Sequence, residues 1–577
     1  MRTKTNIVNY TKIRGKEYVY IRAERHTLPD GTMSQDHKTY LGTMVDGVFV
    51  SNSNYKALPV SQKRLLGLES NPKENEVEKA IKKEQAKAEL EVSTVMKTRK
   101  FYGNYHLLME AADKCGLLPL LKKSFPQDFK EILSICFFLI LDKNNALYRF
   151  NAWGRLHEHP YNKTISSAAS SQFLDTLSES SINKFLTDWA QTVGDNSIIA
   201  VDSTSISTYA KKNPQARRGI NKDHDIINQI NLLVGFGAIS HLPVYMKPLS
   251  GNISDVSTIT NFIADFKNYG IFNATFFLDR GFYSKSNIIS LLENNYKFLC
   301  AVKGKPLFVK NCFKDLNVLS HEYYLKEYQV YATTVRYQLP YRINGKQKSK
   351  RVYLTKSYDP TIKYHEEMKL DEEITILYEE LLTNNIQHKK KEYEKYFTIS
   401  WKKEKREIVK NSSIASLVEQ PKIVEIDTPD SFEYNEKAID EKRKSLGWVC
   451  FISDVYLEPI SVVANYRKRD TVEKFFENLK ERIGMRRLRT GKKNVVDAKL
   501  FIGYVALIIY EEIEKRKKQA ELKNSKSWFC GKSMQEVFNE FEPIEQYFVG
   551  KGQPRYSEII SRHHTLLSEL QFKDLFN

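Results

Sequence analysis

Between residues 196 and 304, short apolar runs alternate with segments of helical period, which predicts a layered α/β unit. "SIIAVDSTS" is a continuous apolar run ending in an acid and hydroxyls, so a buried strand is expected to stop at Asp202. "NQINLLVGFGAISHLPVYMKPL" holds two further runs around a glycine-containing turn and predicts a hairpin. In "VSTITNFIADFKNYG", Ile259, Phe262, Phe266 and Tyr269 recur at helical spacing and Gly270 supplies a stop. "ATFFLDRGFYS" is another buried run ending at Asp279, followed by the helix "KSNIISLLENN" and the strand "YKFLCAVKG". Three strands, a helix, a strand, a helix and a strand make a mixed sheet.

The flanks read differently. Residues 14 to 50 alternate polar and apolar positions with turn residues between them, which predicts a small β-rich module. Residues 73 to 93 form a charged helix or linker, and from Tyr105 to about Gln191 the period is helical. After Lys305 the chain becomes rich in Tyr, Thr, Lys and Glu up to Lys444, with alternating segments such as "HEYYLKEYQVYATTVRYQL". That pattern predicts a β-rich insertion with a charged helical piece. "LGWVCFISD" restores a buried strand, and the remainder is helical.

Charge then narrows the partners. Among 577 residues, 89 Lys and Arg face 70 Asp and Glu, a net charge of +19 that favours a polyanion, nucleic acid first. The longest apolar run, "ILSICFFLIL" (Ile132 to Leu141), is too short to span a bilayer, so no membrane partner is expected. The N-terminal stretch lacks the apolar core of a signal peptide. Six cysteines occur without any CxxC spacing, which suits a reduced cytosol and argues against zinc.

The chemistry concentrates in "YRKRDTVEKFFENLK", Tyr466 to Lys480. At about 100° per residue from Glu473, Tyr466 falls near +20°, Arg469 near −40° and Lys480 near −20°. One stripe thus displays an acid between two cations and a phenol, while Val472, Phe475, Phe476 and Leu479 anchor the flank. A plain Arg469–Glu473 helix pair is the alternative. Glu477 lies one turn on, near +40°, so angle alone admits either acid. Asp202 and Asp279 could both occupy one sheet edge, although acids there also serve as caps. Converging with Glu473, they would form an all-oxygen set suited to Mg²⁺ or Mn²⁺. Two such ions suit phosphodiester hydrolysis, with the stripe cations on the phosphate.

These residues carry a resemblance. Tyr466, Arg469, Glu473 and Lys480 fit Y-x2-R-x3-E-x6-K, the YREK signature of bacterial insertion-sequence DDE transposases with a β-strand insertion. "VDSTS" and "LDRGFYS" resemble that class's first two acidic motifs, and "GINKDHDIINQINLLVGF" and "YMKPLSGNISDVSTI" resemble segments of its longer members. The likeness covers about Asn196 to Tyr510, interrupted by the insertion. It implies a ribonuclease-H-like fold and cut-and-paste transposition in the bacterial cytoplasm, at the nucleoid. It also implies catalytic and metal-binding roles for Asp202, Asp279 and Glu473 with two Mg²⁺ (or Mn²⁺) ions. Tyr466, Arg469 and Lys480 become phosphate contacts. The implied partners are double-stranded DNA, as terminal inverted repeats and target, and a second copy in a homodimeric synaptic complex. In "NVVDAKLFIGYVAL" many relatives would carry a histidine near Lys499, and that position has no assigned role.

The organisation expected is a β-rich module over 1–72, a helical DNA-binding region over 73–195, and a ribonuclease-H-like catalytic core over 196–304 and 445–515. A β-rich insertion spans 305–444 and a C-terminal helical region 516–577. Trp401, the only tryptophan between Lys305 and Lys444, is either the base-flipping aromatic that the resemblance places in the insertion or part of the insertion's core. Arg280 is open between a DNA contact and an ion pair. "HKKKEYEKYFTISWKKEKREIVK" is open between DNA contact and a solvated face. His388, His563 and His564 lack ligand spacing and read as surface residues. Two rivals to the transposase remain: a nuclease of the same core in repair or defence, and a domesticated DNA-binding protein without catalysis.

Overall fold

A computed structural model describes residues 7–22, 27–33, 37–68, 72–194, 198–210, 213–223, 225–304, 306–408, 422–467, 470–488, 490–550 and 552–574. The chain divides into two compact units, 1–100 with 545–558, and 101–544 with 559–577.

The smaller unit is built on a four-stranded antiparallel meander, Val8–Ile13, Lys16–Arg22, Lys38–Val45 and Val48–Ser51. Period-two alternation places Val19, Leu41 and Phe49 on one face, where they pack with Tyr55 and Leu66. The charged helix Pro72–Thr98 and the hairpin strands Glu545–Phe548 and Pro554–Ser557 belong to this unit as well. Thr98 Oγ1 accepts from Phe548 N–H at 3.0 Å. The region 516–577 is therefore not wholly helical, and the helix after residue 72 groups with the N-terminal module.

In the larger unit the predicted order appears as expected: β1 (Ile198–Thr208), β2 (Gln229–Gly237), β3 (Pro243–Ser250), α1 (Ile259–Asn268), β4 (Thr275–Leu278), α2 (Lys285–Glu293) and β5 (Lys297–Ala301). β1 runs antiparallel to β2 and parallel to β4, β4 runs parallel to β5, and β2 pairs antiparallel with β3. This is the ribonuclease-H-like mixed sheet. Helices cover both faces, so the strands read as continuous apolar runs. Ala200 and Ile206 enter one core with Phe277, while Ile199 and Val201 enter the other with Leu278.

The stretch read as one insertion divides in two. β6 (Val330–Ile343) and β7 (Lys346–Tyr358) form a hairpin through Asn344-Gly345, both at positive φ as its two-residue turn requires. β7 then pairs with β8 (Trp448–Ser453), which pairs with β5, so this half extends the main sheet and covers what would otherwise be an open edge. The sheet order is β6-β7-β8-β5-β4-β1-β2-β3, with two two-residue strands added, Tyr324–Leu325 beside β6 and Arg487–Leu488 beside β1. Only the rest is a separate lobe: helix Pro360–Leu382, the ribbon Phe397–Ile408 with Lys422–Tyr434, and helix Glu436–Arg443. Its two ends meet, Asp359 N–H donating to Gly447 O at 2.9 Å.

α3 (Pro459–Arg467) and α4 (Asp470–Glu477) follow β8, then a π-helical turn over Asn478–Arg482. Arg467 reaches from α3 to the Asp359 carboxylate at 3.1 Å. α5 (Lys493–Lys523) is buried along most of its length against Phe129–Asp142 and Gly103–Lys114. The apolar run Ile132–Leu141 is thus a core helix, and among the described residues no helix is long and apolar enough to cross a membrane.

Candidate active site

Two acids come together at the centre of the sheet. The β1–β4 register pairs Val201 with Leu278, which sets Asp202 beside Asp279 one step further on. By alternation both project to the face that takes Ala200 and Phe277, where Val472 and Phe475 of α4 pack. Asp202 does not end its strand as expected; β1 continues to Thr208. The continuation is polar yet buried, because its hydroxyls find partners: Ser203 Oγ with Asp255 Oδ1 at 2.5 Å and Ser207 Oγ with Asp225 Oδ2 at 2.6 Å.

Asp202 is 9% exposed. Its Oδ1 accepts from Ser203 N–H at 2.7 Å and from Lys222 Nζ at 3.1 Å. Burial pushes its carboxyl above the ordinary range, Lys222 pulls it back, and the nearby Asp279 charge adds to the rise. Asp279 accepts from Arg280 N–H at 2.6 Å and from the Tyr466 hydroxyl at 3.4 Å. Tyr466 is held by an edge contact with Phe451, ring centroids 4.7 Å apart. One member of the predicted stripe therefore reaches an acid directly.

The rest of the stripe departs from a single straight helix. Arg469 lies outside the described residues, between α3 and α4. Glu473 is exposed on α4, whose Phe475 ring lies 5.2 Å from Phe236 of β2. Beyond Glu477 the turn widens, with Ile483 N–H bonded to Asn478 O in an i→i+5 pattern, so the 100° step does not carry through to Lys480. Lys480 is 9% exposed, and its Nζ lies 2.8 and 2.7 Å from the two oxygens of Asp223. Glu477 is exposed and pairs with Arg482 at 3.8 Å.

Lys222 and Asp223 were not singled out by sequence reasoning, although "NKDHD" offers a signal: a charge cluster between two buried strands. Adjacent in the chain, they engage opposite charges of the site, Lys222 an acid and Asp223 a cation. Asp202, Asp279 and Glu473 offer carboxylate oxygen only, which suits a hard divalent cation, and the Lys222 ammonium already sits as a cation on Asp202. Among the described residues no group of three or more His, Cys, Asp or Glu is close enough to hold a metal ion.

Trp401 sits at a bulge of the lobe ribbon, partly buried against its core, with Tyr393 at 6.2 Å and Lys390 Nζ over the ring at 4.8 Å. Along the same ribbon Lys402 pairs with Asp430 at 3.7 Å and Lys403 with Glu425 at 3.8 Å, so these lysines face acids within the lobe. His388 bonds Glu380 at 2.9 Å. His563 is buried, not on the surface, against Phe541 and the carbonyl of Glu540.

Residues 194–509, more than half of the chain, match the family described as transposase DDE domain. No curated protein matches the sequence. Among solved structures the chain is similar to the piggyBac transposase in its cryo-EM synaptic complex with hairpin DNA. That likeness has 11% identity and a TM-score of 0.32, and it covers 64% of this chain and 56% of that one. The chain thus spans little more than half the length of that protein.

Proposed function

The chain belongs to the DDE transposase-domain family, and we propose that it performs cut-and-paste transposition of a bacterial insertion sequence. The observation that carries this reading is the pair of acids side by side on parallel strands, on the face packed by the helix bearing Glu473. In the DNA-free structure Asp202, Asp279 and Glu473 are not gathered closely enough for a metal. They would hold two Mg²⁺ (or Mn²⁺) ions once Glu473 closes on the acid pair, and the ions would then supply Lewis acidity at the scissile phosphate. Tyr466 orients the Asp279 carboxylate and presents its hydroxyl to the strand being cut. Lys480 exchanges Asp223 for a phosphate oxygen when DNA arrives, and Arg469 is a second phosphate contact. Water is the first nucleophile, and the freed 3′-hydroxyl is the next, by way of a hairpin on the transposon end. The DNA partners are the terminal inverted repeats, engaged through the N-terminal and helical regions, and the target, with two copies in one synaptic complex.

The test is Asp202→Asn and, separately, Asp279→Asn. Each is expected to bind end DNA nearly as wild type does and to lose strand cleavage. Cleavage at wild-type rates by either purified variant sinks the assignment. Cutting of branched DNA without inverted repeats, at the rate of element ends, would favour the repair or defence nuclease.

A further inference from the structure

We propose that the turn after helix Phe129–Asp142 and the turn after the π-helical segment together form a second phosphate subsite, holding the backbone of the same DNA strand that Lys480 contacts. The inference rests on the reading of the chain as a DNA-cutting enzyme.

The two turns line an open cleft of about 510 Å³ whose lining includes Lys143, Lys480, Arg486 and Arg487, against one acid, Glu481. Its walls are built. Gly484, at φ +75°, lets the turns approach so closely that a Cβ there would meet Lys143 O at 2.8 Å. Asn145 staples them, donating through Nδ2 to Gly484 O at 2.5 Å and to Arg487 O at 2.8 Å. Lys499, buried, fixes Asn145 in turn by donating to its backbone oxygen at 2.6 Å and its Oδ1 at 3.2 Å. The position that the family resemblance left without a role is thus a positioning residue.

Charge points to the occupant. Lys480 is held by Asp223 and Arg487 by Asp225 at 3.0 Å, but Arg486 meets Glu481 only weakly, both about half exposed at 3.5 Å. Lys143 has no ion pair among the described residues. Burial chiefly, and the nearby Arg482 guanidinium second, hold its ammonium below the ordinary lysine value. An anion would offset the excess of like charge among Lys143, Lys480, Arg486 and Arg487, and guanidinium forks suit phosphate oxygens. Lys480 lines this cleft while its ammonium holds Asp223, so the proposed phosphate contact of Lys480 and the second subsite share one surface.

The experiment measures binding of a duplex carrying the element end, by fluorescence anisotropy across a salt series in EDTA, so that no cleavage occurs. Lys143→Gln and Arg486→Gln should each lower the slope of log K against log salt by about 1 and weaken binding at low salt by roughly tenfold. Lys143→Asn is the second variant, because Lys143 has φ 52° and asparagine tolerates the left-handed region. Lys267→Gln, at an exposed lysine elsewhere, should change neither. Slopes equal to wild type in the folded Lys143 and Arg486 variants would overturn the subsite while leaving the enzyme reading intact. Failure of the wild type to bind any duplex would overturn both.

Discussion

Asp223→Asn separates stability from DNA affinity, because the Asp223 carboxylate competes for the cation that DNA is proposed to need. In the DNA-free protein Lys480 is nearly buried, its side chain 10% exposed and that of Asp223 18% exposed, with two contacts under 3 Å. The gross attraction at such a distance is about 6 kcal/mol at an effective dielectric near 20, and desolvation of both groups offsets most of it. A charge-assisted bond nets about 1.5–3 kcal/mol, and asparagine keeps a single neutral acceptor, so the loss should be about 2 kcal/mol. For a unit of several hundred residues that lowers Tm by about 2 °C. DNA affinity should move the opposite way, because Lys480 no longer gives up a partner on binding. A gain of about 1.4 kcal/mol is tenfold in Kd. Thermal unfolding without DNA and anisotropy with an end duplex in EDTA measure the two effects. If the variant binds DNA more weakly in step with its lower Tm, Asp223 is a support for Lys480 and not its competitor, and the reasoning fails.

Glu473→Gln should abolish cleavage while Glu477→Gln retains most of it, since Glu477 is tied to Arg482; the reverse result would mean the wrong acid was chosen. Glu511 lies buried on α5 beside Glu514 and accepts from Asn478 at 2.9 Å, and burial first, then Glu514, pushes its carboxyl up to about 8. A raised acid is protonated in the fold but ionised in the open chain between pH 4.5 and 8, so stability should fall as pH rises through that window, by at most about 1.4 kcal/mol per unit. Glu511→Gln should flatten the fall in Tm, and parallel profiles for both proteins would refute it. Trp401→Phe should cost little stability, because among the described residues the buried indole N–H has no hydrogen-bond partner, whereas Trp401→Ala should cost about 3 kcal/mol in the lobe. Normal hairpin formation by the phenylalanine and alanine variants alike would remove base flipping from consideration.

The sheet was legible because two-sided burial writes strands as unbroken apolar runs, and the order of elements from 198 to 301 followed directly. The polar half of β1 was not: Ser203, Thr204, Ser205, Ser207 and Thr208 look like a loop, and only distant partners such as Asp255 and Asp225 make them affordable inside. Asp202 and Asp279 were readable as run-ending acids, but their adjacency is a matter of strand register. The π turn has no local mark; it widens the helix just where Lys480 must meet Asp223, 257 positions away in sequence. Lys222 and Asp223 act through that same long-range pairing, which periodicity cannot see.

The lobe joins the sheet through a narrow neck, where Asp359 N–H donates to Gly447 O and Gly447 N–H donates to the Glu366 carboxylate. Such a segment is a detachable cassette: a tight turn could bridge the gap, and β7 and β8 would still zip together. The neck is also a point of connection to the site. Asp359 caps the first lobe helix, accepting from Thr361 N–H at 2.9 Å, and the same carboxylate grips Arg467, the residue after Tyr466. The first lobe helix is therefore tied, through one carboxylate, to a position one residue from the phenol that touches Asp279, so a cassette swap that drops Asp359 would cut that tie.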